Sequence, residues 1–563
     1  MLRLNELKLP LDHTDADLPA AICRRLKLKP EQLQQQRVVK RSVDARRKSD
    51  IRLTYSVEIA LAPALEQKLL QRFQRDPHLQ PAPDTAYQLV TSAPAGVADG
   101  RTPRPVVVGA GPCGYFCALL LAQMGFRPLL LERGKPVKER SADTFGFWQG
   151  KRPFNPESNA QFGEGGAGTF SDGKLYSQVR DPRHLGRKVL EELVAAGANP
   201  DILVLHRPHI GTFKLATVVR GLRAQIEALG GEIQFQSRVE RLELEPGAER
   251  RVRGVTLADG RFIAAQQVVL ALGHSARDSF AMLKQQGVAM ERKPFSVGFR
   301  IEHPQTLIDA ARWGDCAGHP RLGAAEYKLV HHASNGRCVY SFCMCPGGLV
   351  VGATSEPGRV VTNGMSQHSR NERNANSGIV VNIEPDDVEP YGDAPGDPLA
   401  GVAFQRHWEA QAFALGGESY AAPGQRLEDF LAGRSSAQLG AVQPSYAPGV
   451  TLTDLSPSLP AYAIEALREA LPQFNQSIPG YAMADAMLTG VETRTSSPVR
   501  LPRDAQLESS NTPGLYPAGE GAGYAGGILS AAIDGIRVAE AVALTLRRRW
   551  HPEEPDGSAC GRA

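Results

Sequence analysis

Gly109, Gly111 and Gly114 stand at the spacing a backbone needs to wrap a pair of phosphates. Gly109 permits a tight turn after the valine run 106–108, Gly111 lets the main chain approach a pyrophosphate, and Gly114 lets the following helix lie close on a sheet. The unpaired N–H groups at that helix's start stabilise an anion without a basic side chain. Glu132 ends a second apolar run, 128–131, where its carboxylate suits the two hydroxyls of an adenosine ribose and repels a 2'-phosphate. Elsewhere, Arg494 offers a planar fork for a substrate carboxylate or, equally, one arm of an inter-domain ion pair. Lys174 follows a glycine-rich loop and can reach an anion, with Asp172 beside it shaping the turn. Cys343 and Cys345 flank Met344 in a strand, so both sulfurs would share one face, as a buried pair or a redox pair. His274 reads as a proton donor or a helix cap. No paired carboxylates, metal cluster or Ser-His-Asp order is present.

Those glycines need a strand, a helix and a second strand, and residues 105–134 supply them in order. The same stretch carries one charge, Arg127, through residue 131 and is long enough to cross a bilayer. The glycine spacing and the closing acid favour the β-α-β reading. The unit continues through an amphipathic helix over 212–229, a strand over 232–236, and a meander of 239–244, 251–257 and 261–264 that ends in a strand over 267–272. Gly273 stops that strand where a chain crossing a bound nucleotide needs no side chain. A late strand at 514–517 enters a glycine turn before a helix over 528–547.

The chain has 563 residues, 42% hydrophobic and 22% charged, enough for two or three domains. Its opening residues alternate and form no secretory signal, which points to the cytoplasm. Eight cysteines without a regular framework fit reduced thiols. Residues 1–60 hold 13 Lys or Arg against 8 Asp or Glu, leaving 51 against 52 in the rest of the chain. Within them Lys40, Arg41, Arg46, Arg47 and Lys48 read as a solvated hairpin tip, or alternatively as a site for RNA or another polyanion. The expected organisation is a small basic α+β domain over 1–80, a Pro- and Ala-rich linker over 81–103, and a dinucleotide domain over 104–290. An inserted α+β substrate domain over 291–480, the dinucleotide domain's return over 481–550 and a disordered tail over 551–563 complete it.

The fingerprint at 105–114, the Ala271-Leu272-Gly273 strand end and the late segment Tyr516 to Gly521 with Gly526-Gly527-Ile528 together resemble the glutathione-reductase-like FAD-binding fold. More narrowly, Phe162-Gly-Glu-Gly-Gly-Ala-Gly-Thr-Phe-Ser-Asp-Gly-Lys174, Cys343-Met-Cys-Pro-Gly-Gly348 and Glu492-Thr-Arg-Thr-Ser-Ser-Pro498 are similar to bacterial FAD-dependent dehydrogenases, whose physiological reaction is largely undefined. The resemblance implies a Rossmann-like α/β domain and FAD. It assigns Gly519 and Glu520 to the ribityl-phosphate region and Gly526, Gly527 and Ile528 to the flavin. It places Gly165, Gly166, Gly168 and Thr169 beside the pyrophosphate and ring. Arg133, Val239 and Gly273 join these as cofactor contacts, while Arg494, Lys174 and Cys345 are the candidates for catalysis. The residues agree independently: a second nucleotide-facing segment returns roughly 400 residues after the first, as an extended FAD requires. No second G-x-G-x-x-G follows, so electrons come from a small substrate or from NAD(P)H docked without its own Rossmann unit. A FAD-dependent dehydrogenase is the expected function; an RNA-associated flavoprotein and a flavin-binding scaffold are the alternatives.

Overall fold

The computed structural model describes residues 1–94, 97, 103–247 and 249–550. The tail expected from residue 551 onward lies outside them. Short strands, the three inner ones wholly apolar, build a five-stranded parallel sheet in the order Leu515–Pro517, Val268–Leu270, Val106–Val108, Leu129–Leu131, Glu232–Gln234. Such runs are covered on both faces, and the alternation of side chains sorts them between two cores. Val107, Leu130 and Val269 pack toward the helix Pro112–Gln123 and the long helix Ile528–Trp550. Val106, Val108, Leu129, Leu131, Val268 and Leu270 pack toward the antiparallel meander Val239–Leu244, Val252–Leu257, Phe262–Ala264. Pro112–Gln123 buries every residue from Cys113 to Ala122, which is why its sequence is apolar all round. The stretch 105–131 therefore crosses the sheet's core. Among the described residues no helix is long and apolar enough to cross a membrane.

A second, seven-stranded sheet faces this unit, in the order Val330–His332, Cys338–Cys345, Asn374–Ile383, Phe295–Pro304, Met487–Glu492, Ala422–Arg426, Val450–Leu452. Its strand Met487–Glu492 pairs with Phe295–Pro304 and Ala422–Arg426. The chain thus leaves the second sheet only after Glu492, later than the boundary expected at 481.

The N-terminal unit is a four-stranded sheet, ordered Gln35–Asp44, Arg52–Ala60, Leu2–Pro10, Leu79–Pro81, with helices Asp17–Leu26 and Pro63–Arg72. Its core leucines and valines are continuous with those of the seven-stranded sheet, so it packs as part of that body. Lys40 and Arg41 lie within a strand, away from the hairpin tip expected for them. Arg41 joins the dinucleotide unit, its N–H donating to the Val204 carbonyl at 2.6 Å and its carbonyl accepting from His206 N–H at 2.9 Å. The described part of the expected linker is strapped down: Ala93 N–H donates to Met124 O at 2.6 Å and Tyr87 hydroxyl to Glu540 Oε1 at 2.7 Å.

Candidate functional site

The carboxyl ends of the parallel strands open into a long cleft closed on its far side by the seven-stranded sheet. At one end stand Glu132, Arg133, Ser237, Arg238 and Val239; at the other, Gly526, Gly527 and Ile528 face Phe342, Cys343, Asn363, Lys174 and Tyr176. Gly109, Gly111, Gly166, Gly168, Gly273 and Glu520 line the path between.

The three fingerprint glycines divide their work as the sequence implied. Gly109 adopts φ +104°, and a Cβ there would lie 2.3 Å from Ala271 O. A Cβ on Gly114 would sit 1.8 Å from Gly109 O, so that position is closed by helix-to-turn packing. Gly111 differs: the nearest atom to its Cβ position is 3.8 Å away, and the cleft occupies the rest. Gly526 and Gly527 have nothing within 4 Å at theirs. Backbone kept bare while facing empty space fits a bulky ligand held at main-chain distance, as FAD would be.

Glu132 is 5% exposed and more engaged than its sequence position suggested. Oε2 accepts from Ala110 N–H at 2.8 Å, and Oε1 accepts from Gly134 N–H at 2.8 Å and Gly163 N–H at 2.9 Å. It clasps the turn as well as lining the cleft, so at most one lone-pair direction is left for a ribose hydroxyl. Arg133 is likewise committed, paired with Glu157 and Asp278 and lying over the Phe162 ring at 4.1 Å.

Four expected cofactor contacts sit behind the lining rather than in it. Gly114 is packed against the turn, and Gly519 donates its N–H to Asp534 Oδ2 at 2.8 Å on the side facing Cys113. Gly165 and Thr169 brace each other inside the glycine loop; a Cβ on Gly165 would lie 2.1 Å from Thr169 Oγ1. That loop reaches the cleft through Gly166 and Gly168.

The catalytic candidates are rearranged more deeply. Arg494 lines the cleft, but its fork is taken: Nε and Nη2 donate to Glu409 Oε1 and Oε2 at 3.1 and 2.9 Å. Its Nη1 donates to the Ser275 and Ser355 hydroxyls. Glu409 also holds both Nη atoms of Arg277, at 2.7 and 2.8 Å, and the Thr493 hydroxyl at 2.8 Å. Burial opposes ionisation of Glu409, yet Arg277 and Arg494 hold its carboxyl far below the usual range. Of the two expected roles, Arg494 takes the inter-domain ion pair, and its fork is not free for a substrate carboxylate.

Lys174 also lines the cleft, with Nζ donating to Met344 O and lying 3.9 Å from Asp172 Oδ2. Burial alone would lower its ammonium, but Glu326 and Asp172 more than offset that and keep it protonated. Asp172 is held by the Arg370 guanidinium, Nε to Oδ1 being 3.0 Å. Cys345 is fully buried and does not line the cleft, whereas Cys343 does. The expected alternation fails because the strand slips register between Phe342 and Cys345, with Cys343 at φ +47°. His274 caps nothing: the helix Arg277–Gln285 has no side-chain cap, and the imidazole meets Ser275 Oγ at 2.9 Å. Burial, then Arg494 and Arg277, pushes it down to about 3, so it is neutral at physiological pH. Among the described residues no cluster could hold a metal ion.

Residues missed by sequence reasoning are Tyr176, Phe342, Asn363 and Glu409. Glu409 had a legible signal, since Gln405 and Glu409 lie four apart on the otherwise apolar buried face of Ala400–Leu415. Phe342 and Asn363 depend on strand register across the cleft, and Tyr176 on the fold of a segment outside any strand.

Glu520 carries the clearest titration. Burial pushes its carboxyl up to about 7, against the pull of Lys293. A folded-state value above the unfolded one means the folded protein holds this proton more tightly, so its stability declines as pH rises from about 4.5 to about 7 and then levels. In cofactor-free protein, Glu520→Gln should match wild type in thermal midpoint near pH 4.5 and exceed it above pH 7. A difference independent of pH would show that Glu520 is not buried as an acid.

The comparisons agree with this geometry. The description "FAD dependent oxidoreductase" matches residues 160–390, and "FAD-dependent protein, C-terminal domain-like" matches residues 294–495. A domain of unknown function matches residues 1–60. A protein of Clostridium beijerinckii, described as uncharacterized, is 45% identical over 540 residues, 96% of this chain and 98% of its own length. Solved structures with some similarity include glycine oxidase from Bacillus cereus, 11% identical with a TM-score of 0.34 over 81% of this chain and 96% of that one. Glycerol-3-phosphate dehydrogenase from Bacillus halodurans, complexed with FAD, is 12% identical with a TM-score of 0.35 over 82% and 68%. With a relative matched over nearly the whole of both chains and FAD-dependent descriptions matching residues 160–390 and 294–495, this chain belongs to a family of FAD-dependent oxidoreductases.

Proposed function

We propose that the protein is a dehydrogenase that holds FAD extended along the cleft in the glutathione-reductase manner, with a small substrate entering between the two sheets. The observation that carries this is the continuity of one cleft from Glu132 past Gly111 and Gly273 to Gly526, Gly527 and Ile528. Arg133 and Val239 bound the adenine end. The start of Pro112–Gln123 meets the pyrophosphate, and the start of Ile528–Trp550 meets the ring, where its partial positive charge favours negative charge on the flavin. Bound there, FAD supplies hydride transfer at N5.

The substrate's wall is Phe342, Cys343, Asn363 and Tyr176, an apolar floor with a few polar groups, as small-molecule sites have. Lys174 and the Arg370–Asp172 pair keep that end structured, and Glu520, its carboxyl pushed up to about 7 by burial, can exchange a proton near neutral pH. Electrons enter from a small substrate or from a nicotinamide docked over the ring.

Two experiments test this reading. Gly111→Ala and Gly527→Ala should leave the cofactor-free fold within about 1 kcal/mol of wild type, because their Cβ atoms meet open space. Both should weaken FAD at least about tenfold. Gly114→Ala should instead destabilise the fold itself. Unchanged FAD affinity in Gly527→Ala would remove the ring from that end. Anaerobic titration of the holoprotein with NADH, NADPH and a metabolite set should bleach the flavin absorbance with at least one donor. Reduction by dithionite alone would leave a flavin-binding scaffold.

A further inference from the structure

Cys343 and Cys345 are both free thiols and are not equivalent. The register slip places Cys343 in left-handed backbone, a conformation non-glycine residues hold only when their surroundings impose it. It turns Cys343 into the cleft wall while Cys345 stays wholly buried behind it. The Cys345 thiol folds back and donates to Cys343 O at 3.3 Å, which keeps it beside Cys343. Two buried cations hold the kinked segment by its carbonyls: Arg300 Nη1 donates to Cys343 O at 2.8 Å, and Lys174 Nζ donates to Met344 O. Nothing in the hydride-transfer reading uses this arrangement.

Charged and titratable groups face the pair from several elements. Arg300 and Lys174 are the cations; Asp172, Glu492, Tyr176 and Glu520 are the acids. The neighbouring Cys345 side chain draws the Cys343 thiol down, burial opposes it, and Arg300 and Lys174 reinforce the lowering. Cys345, with Cys343 beside it and burial around it, moves up. One thiol on the cleft wall, backed two residues later by a wholly buried second thiol, is the asymmetry of redox-active pairs, in which the first sulfur attacks and the second resolves.

We propose that Cys343 and Cys345 form a redox-active dithiol that exchanges an electron pair with FAD across the cleft, making thiol–disulfide chemistry part of this enzyme's cycle. This rests on the reading that the flavin ring lies at the Ile528 end. In the oxidising direction the Cys343 thiolate and the Cys345 thiol join by an S–S bond. The pair gives up two electrons and the Cys345 proton, and FAD takes both to become FADH⁻. The reverse step restores thiolate and thiol from FADH⁻. Atoms and charge balance with FAD as the only oxidant.

The test is anaerobic dithionite titration of oxidised holoprotein, paired with mass spectrometry of the peptide containing both cysteines. Wild type should consume about four electrons per FAD, and Cys343→Ser and Cys345→Ser about two each with FAD retained. The wild-type peptide should be two hydrogens lighter when oxidised and should recover on reduction. In reduced protein, iodoacetamide should label Cys343 first and at lower pH than an ordinary thiol, leaving Cys345 unlabelled, and should shift the flavin spectrum.

Uptake of two electrons by wild type, with no mass change, would overturn the proposal, and because the mass readout needs no variant, misfolding cannot mask that result. The two possible failures are distinguishable. A flavin spectrum indifferent to Cys343 labelling would overturn it through the ring placement. A spectrum that responds while only two electrons are taken up would overturn the dithiol alone.

Discussion

The two sheets are pinned together at one buried carboxylate. Glu409 reaches from a helix of the seven-stranded body and receives Arg277 from the dinucleotide unit and Arg494 from the return loop. All three are almost fully buried, so none of the charges tolerates the loss of its partners. Gln405 adds a bond to Arg277, and Glu356 joins it with Arg406. This cluster lies beside Ser275 and His274, which line the cleft, and together with the Asp172–Arg370 pair it holds the two walls at a fixed distance. A substrate wall on one sheet and a cofactor bed on the other can work together only if that distance is held.

Within that frame, chemistry follows from what each surface leaves bare. The dinucleotide unit offers backbone: Gly111, Gly273, Gly526 and Gly527 keep side chains out of the cleft, and two helix starts supply partial positive charge. The opposing wall offers side chains: Cys343 from the seven-stranded sheet with Arg300 behind it, Asn363 from the neighbouring two-stranded sheet, and Tyr176 and Lys174 from the segment after the glycine loop. A redox cofactor bound on the first surface needs only orientation and charge from the protein, while selectivity comes from the second. The FAD-dependent descriptions match residues 160–495, which include the opposing wall, and the relative that is 45% identical matches 96% of the chain.

The fingerprint, the strand-helix-strand unit, the meander and the late glycine turn were legible because each is local: spacing, alternation and apolar runs sit within about thirty residues. Gly109, Gly111 and Gly114 could be given roles from spacing alone, and the geometry separates those roles cleanly. What escaped depends on partners far along the chain. The fork of Arg494 could be recognised, but its engagement by Glu409, 85 residues earlier, could not. Alternation put both cysteines on one face, and a single irregularity between Phe342 and Cys345 reversed which one is accessible. Glu132 was read as a ribose acceptor, and its three backbone bonds became visible only once Gly163 was folded against it.

The central claim is that one cleft, built by strands from both ends of the dinucleotide unit, seats FAD along its whole length. A crystal structure of the holoprotein tests it most directly. Its electron density should place the pyrophosphate at the start of Pro112–Gln123 and the isoalloxazine between Gly526–Ile528 and the wall at Phe342 and Cys343. An isoalloxazine at the Glu132 and Val239 end, or FAD outside this cleft, would contradict the account.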